Sequence, residues 1–169
     1  MKKSIKESNL VILKNSSIHH KGIFAKKAIQ AETKVLQYIG EKISKQEGTK
    51  RAIAAIEKES ESKGGVYIFE LNDKHDIDGD VPYNLAKYIN HSCTPNCKIL
   101  KEKGQIWIQA IKNIETEEEL TYNYGYDLEE FKDHPCKCGS ERCVGFIVDE
   151  KLWYELGKLK TKYFLELGA

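Results

Sequence analysis

Residues Cys136-Lys-Cys138-Gly-Ser-Glu-Arg-Cys143 place three thiols in one short loop, and nothing else in the chain limits its fold so sharply. Zinc takes four tetrahedral ligands of this soft type, so a loop with three leaves one to be supplied from elsewhere. Cys93 and Cys97 are the thiols available at long range, and His134 is a nearer competitor. A bridge from either cysteine would pin the C-terminal segment onto the middle of the chain. Gly139 supplies the tight turn that such a loop needs. A closed four-thiolate shell has no position open to water, so a metal held there is structural and not catalytic.

The five cysteines are an odd number, and Met1-Lys2-Lys3 is followed only by the apolar stretch Leu10 to Leu13, too short for the core of a secretory signal. The expected compartment is the reducing cytoplasm, where metal ligation is favoured over disulfides. No apolar run approaches the roughly 20 residues needed to cross a bilayer, so no membrane partner is expected. At 169 residues, 31% charged and 40% hydrophobic, the chain suits one domain with a core of its own. A net charge of +1 provides no broad basic field, which argues against direct nucleic-acid binding and for a protein or small-molecule substrate.

Leu10 to Lys14, Gly22 to Lys27, Val35 to Ile39, Val66 to Leu71 and Gln105 to Ala110 read as short strands between polar turns. Ser44 to Ser62 reads as a charged helical insert stopped by Gly64-Gly65. Lys151 to Leu167 places Leu152, Leu156, Leu159 and Tyr163 at helical spacing, an amphipathic helix expected to pack on the domain. The fold class expected is therefore mostly β with a helical insert and a C-terminal helix, α+β.

Asn90-His91-Ser92-Cys93-Thr94-Pro95-Asn96 gathers polar side chains directly after the apolar stretch Leu85 to Ile89. On its own this pattern also describes a turn rich in side-chain to backbone bonds. Further on, Glu118-Glu-Leu-Thr-Tyr122-Asn-Tyr124-Gly-Tyr126-Asp127 alternates three tyrosines along an extended run, so that they project to one side. Three phenols on one face can wall a narrow channel.

Together these segments, from about Ile18 to Ile147, resemble the SET-domain family of protein-lysine methyltransferases, and they come in the family's order. Ser17-Ile-His-His-Lys-Gly22-Ile-Phe-Ala is similar to its opening glycine motif, and Tyr38-Ile-Gly40-Glu41 to its following strand. Tyr83-Asn84-Leu-Ala-Lys-Tyr-Ile-Asn90-His91-Ser-Cys93 is similar to its signature, Glu118 to Tyr124 to its tyrosine motif, and Cys136 to Gly145 to its post-SET segment. The resemblance implies a β-clip fold of small sheets with a knot-like crossing. It places the SET domain at about 10–130 with its helical insert at 44–63, the zinc segment at 132–148 and the C-terminal helix at 149–169.

By the same resemblance the methyl donor is S-adenosylmethionine, which leaves as S-adenosylhomocysteine, and the acceptor is a lysine of a protein or peptide, a histone tail among them. Lys21, Gly22, Asn90 and His91 fall where the family contacts the donor. Tyr124 matches the catalytic tyrosine, and Tyr38, Tyr122 and Tyr126 the lysine channel. Cys93 joins Cys136, Cys138 and Cys143 around one structural zinc, and the post-SET loop closes the cofactor and substrate pockets with Phe146 or Ile147 as apolar cover. A tyrosine at 122 implies mono- or di-methylation. If the protein is exported as an effector, the host nucleus is its expected destination.

The chemistry needs an uncharged amine, whereas free lysine has a pKa of about 10.4. An aromatic channel beside a sulfonium lowers that pKa by desolvation and like-charge repulsion. Tyr124 then orients the amine, and water takes the proton. Four positions depart from the family's pattern: His20 and Glu117 stand where glycines are common, Tyr83 replaces the glycine before Asn84, and Asn123 replaces an aspartate. The alternative is a zinc-stabilised binding module without turnover, with His20 as the suspect change. Retention of Asn90, His91 and Tyr124 argues against it.

Overall fold

Lys103 and Gly104, both with positive φ, fold one strand directly back on the next, and short hairpins of this kind set the scale of the whole molecule. The structure is a computed structural model and describes residues 8–59, 65–129 and 131–166. Its strands run β1 (Val11–Asn15), β2 (Lys21–Ala25), β3 (Lys34–Tyr38), β4 (Glu41–Ser44), β5 (Ile68–Asn72) and β6 (His75–Asp78). Then come β7 (Asn90–His91), β8 (Cys97–Glu102), β9 (Gln105–Ala110) and β10 (Glu119–Tyr122). Helix α1 (Lys45–Glu59) lies between β4 and β5, and α2 (Trp153–Glu166) follows the cysteine loop.

Three small sheets result, ordered β1-β2-β10-β7, β3-β9-β8 and β4-β6-β5, and none closes into a barrel. Five of these strands match segments read from apolar runs. The strands β4, β6, β7 and β8 were not read, being short or rich in polar residues, while β10 lies inside the extended run read from Glu118 to Asp127. Polar β4 and β6 bury Ile43 and Asp76, and α1 seats on them where Gly48 leaves no room for a side chain: a Cβ there would lie 2.3 Å from Asp76 Oδ2. Arg51 of α1 reaches Glu41 and Asp78 at 2.7 Å each, and Lys45 reaches Asp76 at 2.8 Å. The Gly64 stop expected for this insert lies outside the described residues.

The main core gathers Val11, Ile23, Ile89, Ile106, Ile108, Ile114 and Leu120 between the first two sheets. A second, smaller core under α2 holds Phe131, Val148 and Leu156. The apolar stripe of α2 is narrower than its spacing suggested: Leu156 is buried, while Leu159 is 38% exposed. The side chain of Tyr163, and Leu167 with it, lies outside the described residues. Trp153 Nε1 donates to the Val148 carbonyl and Lys160 Nζ to that of Val144, so the helix holds the end of the cysteine loop.

Strand β10 lies antiparallel to β2 and parallel to β7, which brings the polar signature segment against the tyrosine segment. Two paired residues cannot hold such a junction alone. Buried Asn96 does much of the work: its Nδ2 donates to Glu118 Oε1 and the Glu119 carbonyl at 2.9 and 2.8 Å, and its Oδ1 accepts from the Thr121 amide at 2.8 Å. Asn96→Ala strands the Thr121 amide without a partner, a loss of about 3 kcal/mol. For a domain of this size that corresponds to a fall in Tm of roughly 10 °C. A thermal melt unchanged within about 2 °C would show that the amide does not carry the crossing.

Candidate active site

The row of three phenols, Tyr122 buried and Tyr124 and Tyr126 half-buried, follows from two geometries, since only Tyr122 belongs to β10 and the segment after it is irregular. The rings nevertheless line up, with centroids of Tyr122 and Tyr124 4.9 Å apart and those of Tyr124 and Tyr126 5.8 Å apart. Tyr38 does not touch Tyr122 directly. Phe69, from β5, stands between them at 4.5 Å from Tyr38 and 6.0 Å from Tyr122, a residue that sequence reasoning missed. It lay within a strand that was read, but nothing local shows which ring it faces. At the far end His134 meets Tyr126 edge-on, with ring centroids 4.7 Å apart.

The hydroxyls differ. Tyr38 donates to the Tyr67 carbonyl at 2.8 Å, and Tyr124 donates to the Ile89 carbonyl at 3.0 Å. The hydroxyl of Tyr122 has no hydrogen-bond partner among the described residues. Burial, reinforced by neighbouring phenols, pushes the pKa of Tyr122 and of Tyr124 well above the ordinary tyrosine value; for Tyr38, burial is followed by the charge of Asp78. All three stay protonated at neutral pH.

Beside this row lies a polar cluster. Asn90 Nδ2 is within reach of Glu119 Oε1 at 2.7 Å, the Lys21 carbonyl at 2.9 Å and Ser16 Oγ at 3.1 Å. Ser16 in turn donates to Glu119 Oε2 at 2.9 Å. The cluster joins Lys21, Gly22 and Asn90. A Cβ at residue 22 would stand 2.2 Å from Glu119 Oε1, so a side chain there would push this carboxylate out of its present position. Glu119 was quoted only as part of a motif, and its role here depends on the β2–β10 pairing. Its hydrogen bonds come from uncharged donors, and among the described residues no lysine or arginine pairs with it. A half-buried carboxylate without a countercharge suits a ligand that carries a cationic group. The side chain of Lys21 is exposed and turns to Asn15 Oδ1 at 2.6 Å.

His91 is buried, accepts at Nδ1 from the Tyr124 amide at 3.2 Å, and is pushed down to about 4 by that burial. The unusual residues His20 and Glu117 both adopt positive φ, 37° and 69°. They keep the conformation a glycine would take, at a cost of roughly 1 to 2 kcal/mol each. The opening loop therefore holds its shape despite His20.

The structure brings Cys93 to Cys136, Cys138 and Cys143, with the four sulfurs all within 4.8 Å of one another. Cys93 Sγ and Cys136 Sγ are 3.8 Å apart, the separation that two sulfurs about 2.3 Å from a tetrahedral zinc would have. Burial pushes the Cys93 thiol up to about 11, so a cation at the centre is what would let the group ionise. Cys97 is buried in the main core, and His134 is engaged with Tyr126; neither belongs to the four-sulfur group. The ring of Phe146 is taken up by Phe131 at 4.9 Å.

The family model described as the SET domain matches residues 20–125. A histone-lysine N-methyltransferase, H3 lysine-4 specific, of Aspergillus oryzae is 38% identical over 141 residues, covering 78% of this chain and 11% of its own length. The protein of the same name from Saccharomyces cerevisiae is 33% identical over 151 residues, covering 84% of this chain and 13% of its own. Human histone-lysine N-methyltransferase 2B is 38% identical over 153 residues, covering 87% of this chain and 5% of its own. The chain thus spans about a tenth of the length of the curated relatives it matches.

The sulfur geometry predicts one zinc per chain by elemental analysis, lost in Cys93→Ser and kept in Cys97→Ser. Zinc retained in full by Cys93→Ser would remove that residue from the ligand set.

Proposed function

This chain belongs to the SET-domain family, and from that premise we propose that it transfers a methyl group from S-adenosylmethionine to a lysine side chain of a protein. The observation that carries the reading is the row of phenols centred on Tyr124 and set beside the Asn90–Lys21–Glu119 cluster. The donor supplies an electrophilic methyl on a sulfonium. Lys21, Gly22, Asn90 and His91 are its proposed contacts, and the uncompensated carboxylate of Glu119 fits the cationic character of such a molecule.

Tyr124 is the proposed catalytic residue. Because its hydroxyl hydrogen is committed to the Ile89 carbonyl, its oxygen offers lone pairs, and an incoming amine donates to them. A phenol whose pKa is raised is a poor base, so its contribution is alignment of the amine for in-line attack. Desolvation among Tyr38, Phe69, Tyr122 and Tyr126 favours the neutral amine, and the proton leaves through water. Tyr122, with its hydroxyl uncommitted, holds the amine and limits the space for further methyls. Mono- or di-methyl-lysine is the proposed product.

Cys93, Cys136, Cys138 and Cys143 are the proposed ligands of one structural zinc. The acceptor belongs to the class of lysine-bearing protein tails. The two fungal relatives are named for lysine 4 of histone H3, so an H3 tail is the first acceptor to test. Among the described residues no helix is long and apolar enough to cross a membrane. The domain bounds proposed are 10–130, 132–148 and 149–169; the small core under α2 supports treating the last two as one packed unit.

Labelled methyl transfer to core histones and lysate proteins tests the reading. We expect label on lysine, reduced about 100-fold or more by Tyr124→Phe through lost alignment. Absence of both label and donor binding would refute the transferase reading. In Tyr122→Phe, mass spectrometry is expected to show a shift towards higher methylation. Trimethyl-lysine as the main product of the unaltered protein would refute the role given to Tyr122.

A further inference from the structure

The two ring nitrogens of His91 are committed to different partners. Nδ1 lies 3.2 Å from the backbone nitrogen of Tyr124, and since that N–H can only donate, Nδ1 accepts. The neutral ring then carries its hydrogen on Nε2, which stands 3.6 Å from Cys93 Sγ, within hydrogen-bonding reach of sulfur. Cys93 Sγ belongs to the four-sulfur group. Tyr124 is held at both ends: its backbone by His91 and its hydroxyl by the Ile89 carbonyl at 3.0 Å.

We propose that His91 is a positioning residue linking the sulfur site to Tyr124, its Nε2–H donating to Cys93 Sγ while Nδ1 fixes the backbone that carries the phenol. This rests on the zinc and transferase readings above. The ring is held between the sulfur and the backbone, and the phenol's seat is fixed with it. In the other direction, hydrogen bonds to a ligand orient it and strengthen metal binding. Residues that sequence reading sorted into a donor contact, a metal ligand and a catalytic group are thereby one mechanical unit.

The test is NMR on nitrogen-labelled full-length protein loaded with NMR-active cadmium in place of zinc, with neither donor nor acceptor present. The expected result is the Nε2–H tautomer of His91, with that hydrogen scalar-coupled to cadmium through Cys93 Sγ. His91→Phe keeps a ring but loses both bonds, and is expected to yield its metal to a chelator about 10-fold more readily. An Nδ1–H tautomer, an Nε2 hydrogen without coupling, or wild-type metal affinity in His91→Phe overturns the proposal. If the variant does not fold, tautomer and coupling in the unaltered protein decide alone. A negative result here leaves methyl transfer standing, whereas an absence of methyl transfer with tautomer and coupling as expected would leave the bonds in place and remove the catalytic use made of them.

Discussion

A two-residue parallel pairing, Asn90–His91 against Thr121–Tyr122, brings the functional segments together, and it has too few backbone bonds to persist unaided. Side-chain amides make up the difference. Asn96 ties the far side of β10 and Asn90 ties the near side, through Glu119 and the Lys21 carbonyl. Buried amides of this kind are costly unless their groups are matched, and Asn84, Asn90 and Asn96 all have hydrogen-bond partners. The polar stretch after Leu85–Ile89 thus serves architecture as much as chemistry. Remove the amides and the phenols would no longer stand beside the cluster.

Legibility in the sequence followed the range of the interaction. Strands β1, β2, β3, β5 and β9 carry apolar runs of their own and could be read locally; β4 and β6 are polar and depend on Arg51, Lys45 and each other. Tyr122, Tyr124 and Tyr126 looked like one extended strand, and the rings do form one row although the strand stops at Tyr122. Phe69 could not be placed among them without the fold. The cysteine spacing showed that a fourth ligand was needed and left Cys93, Cys97 and His134 open. Folding separates them, because β8 turns Cys97 into the core.

The departures at His20 and Glu117 illustrate how a backbone requirement outlives the residue that usually meets it. Each sits where a left-handed conformation is needed and adopts it at some cost. That cost is spread over a fold whose neighbouring contacts are strong: Glu117 pairs with Lys14 of β1, and Glu118 and Glu119 turn inward to Asn96, Ser16 and Asn90. Much of the acidic run before the tyrosines is therefore engaged within the domain.

The order β1-β2-β10-β7 also has a temporal meaning. Phe24 pairs with Glu119, so the hairpin made first on the ribosome must wait for the last third of the domain before its open edge is covered. Until then β2 exposes unpaired backbone, the kind of edge that recruits foreign strands. Nascent chains stalled before residue 119 should accordingly behave as clients of chaperones, while those carried past it close the sheet and escape.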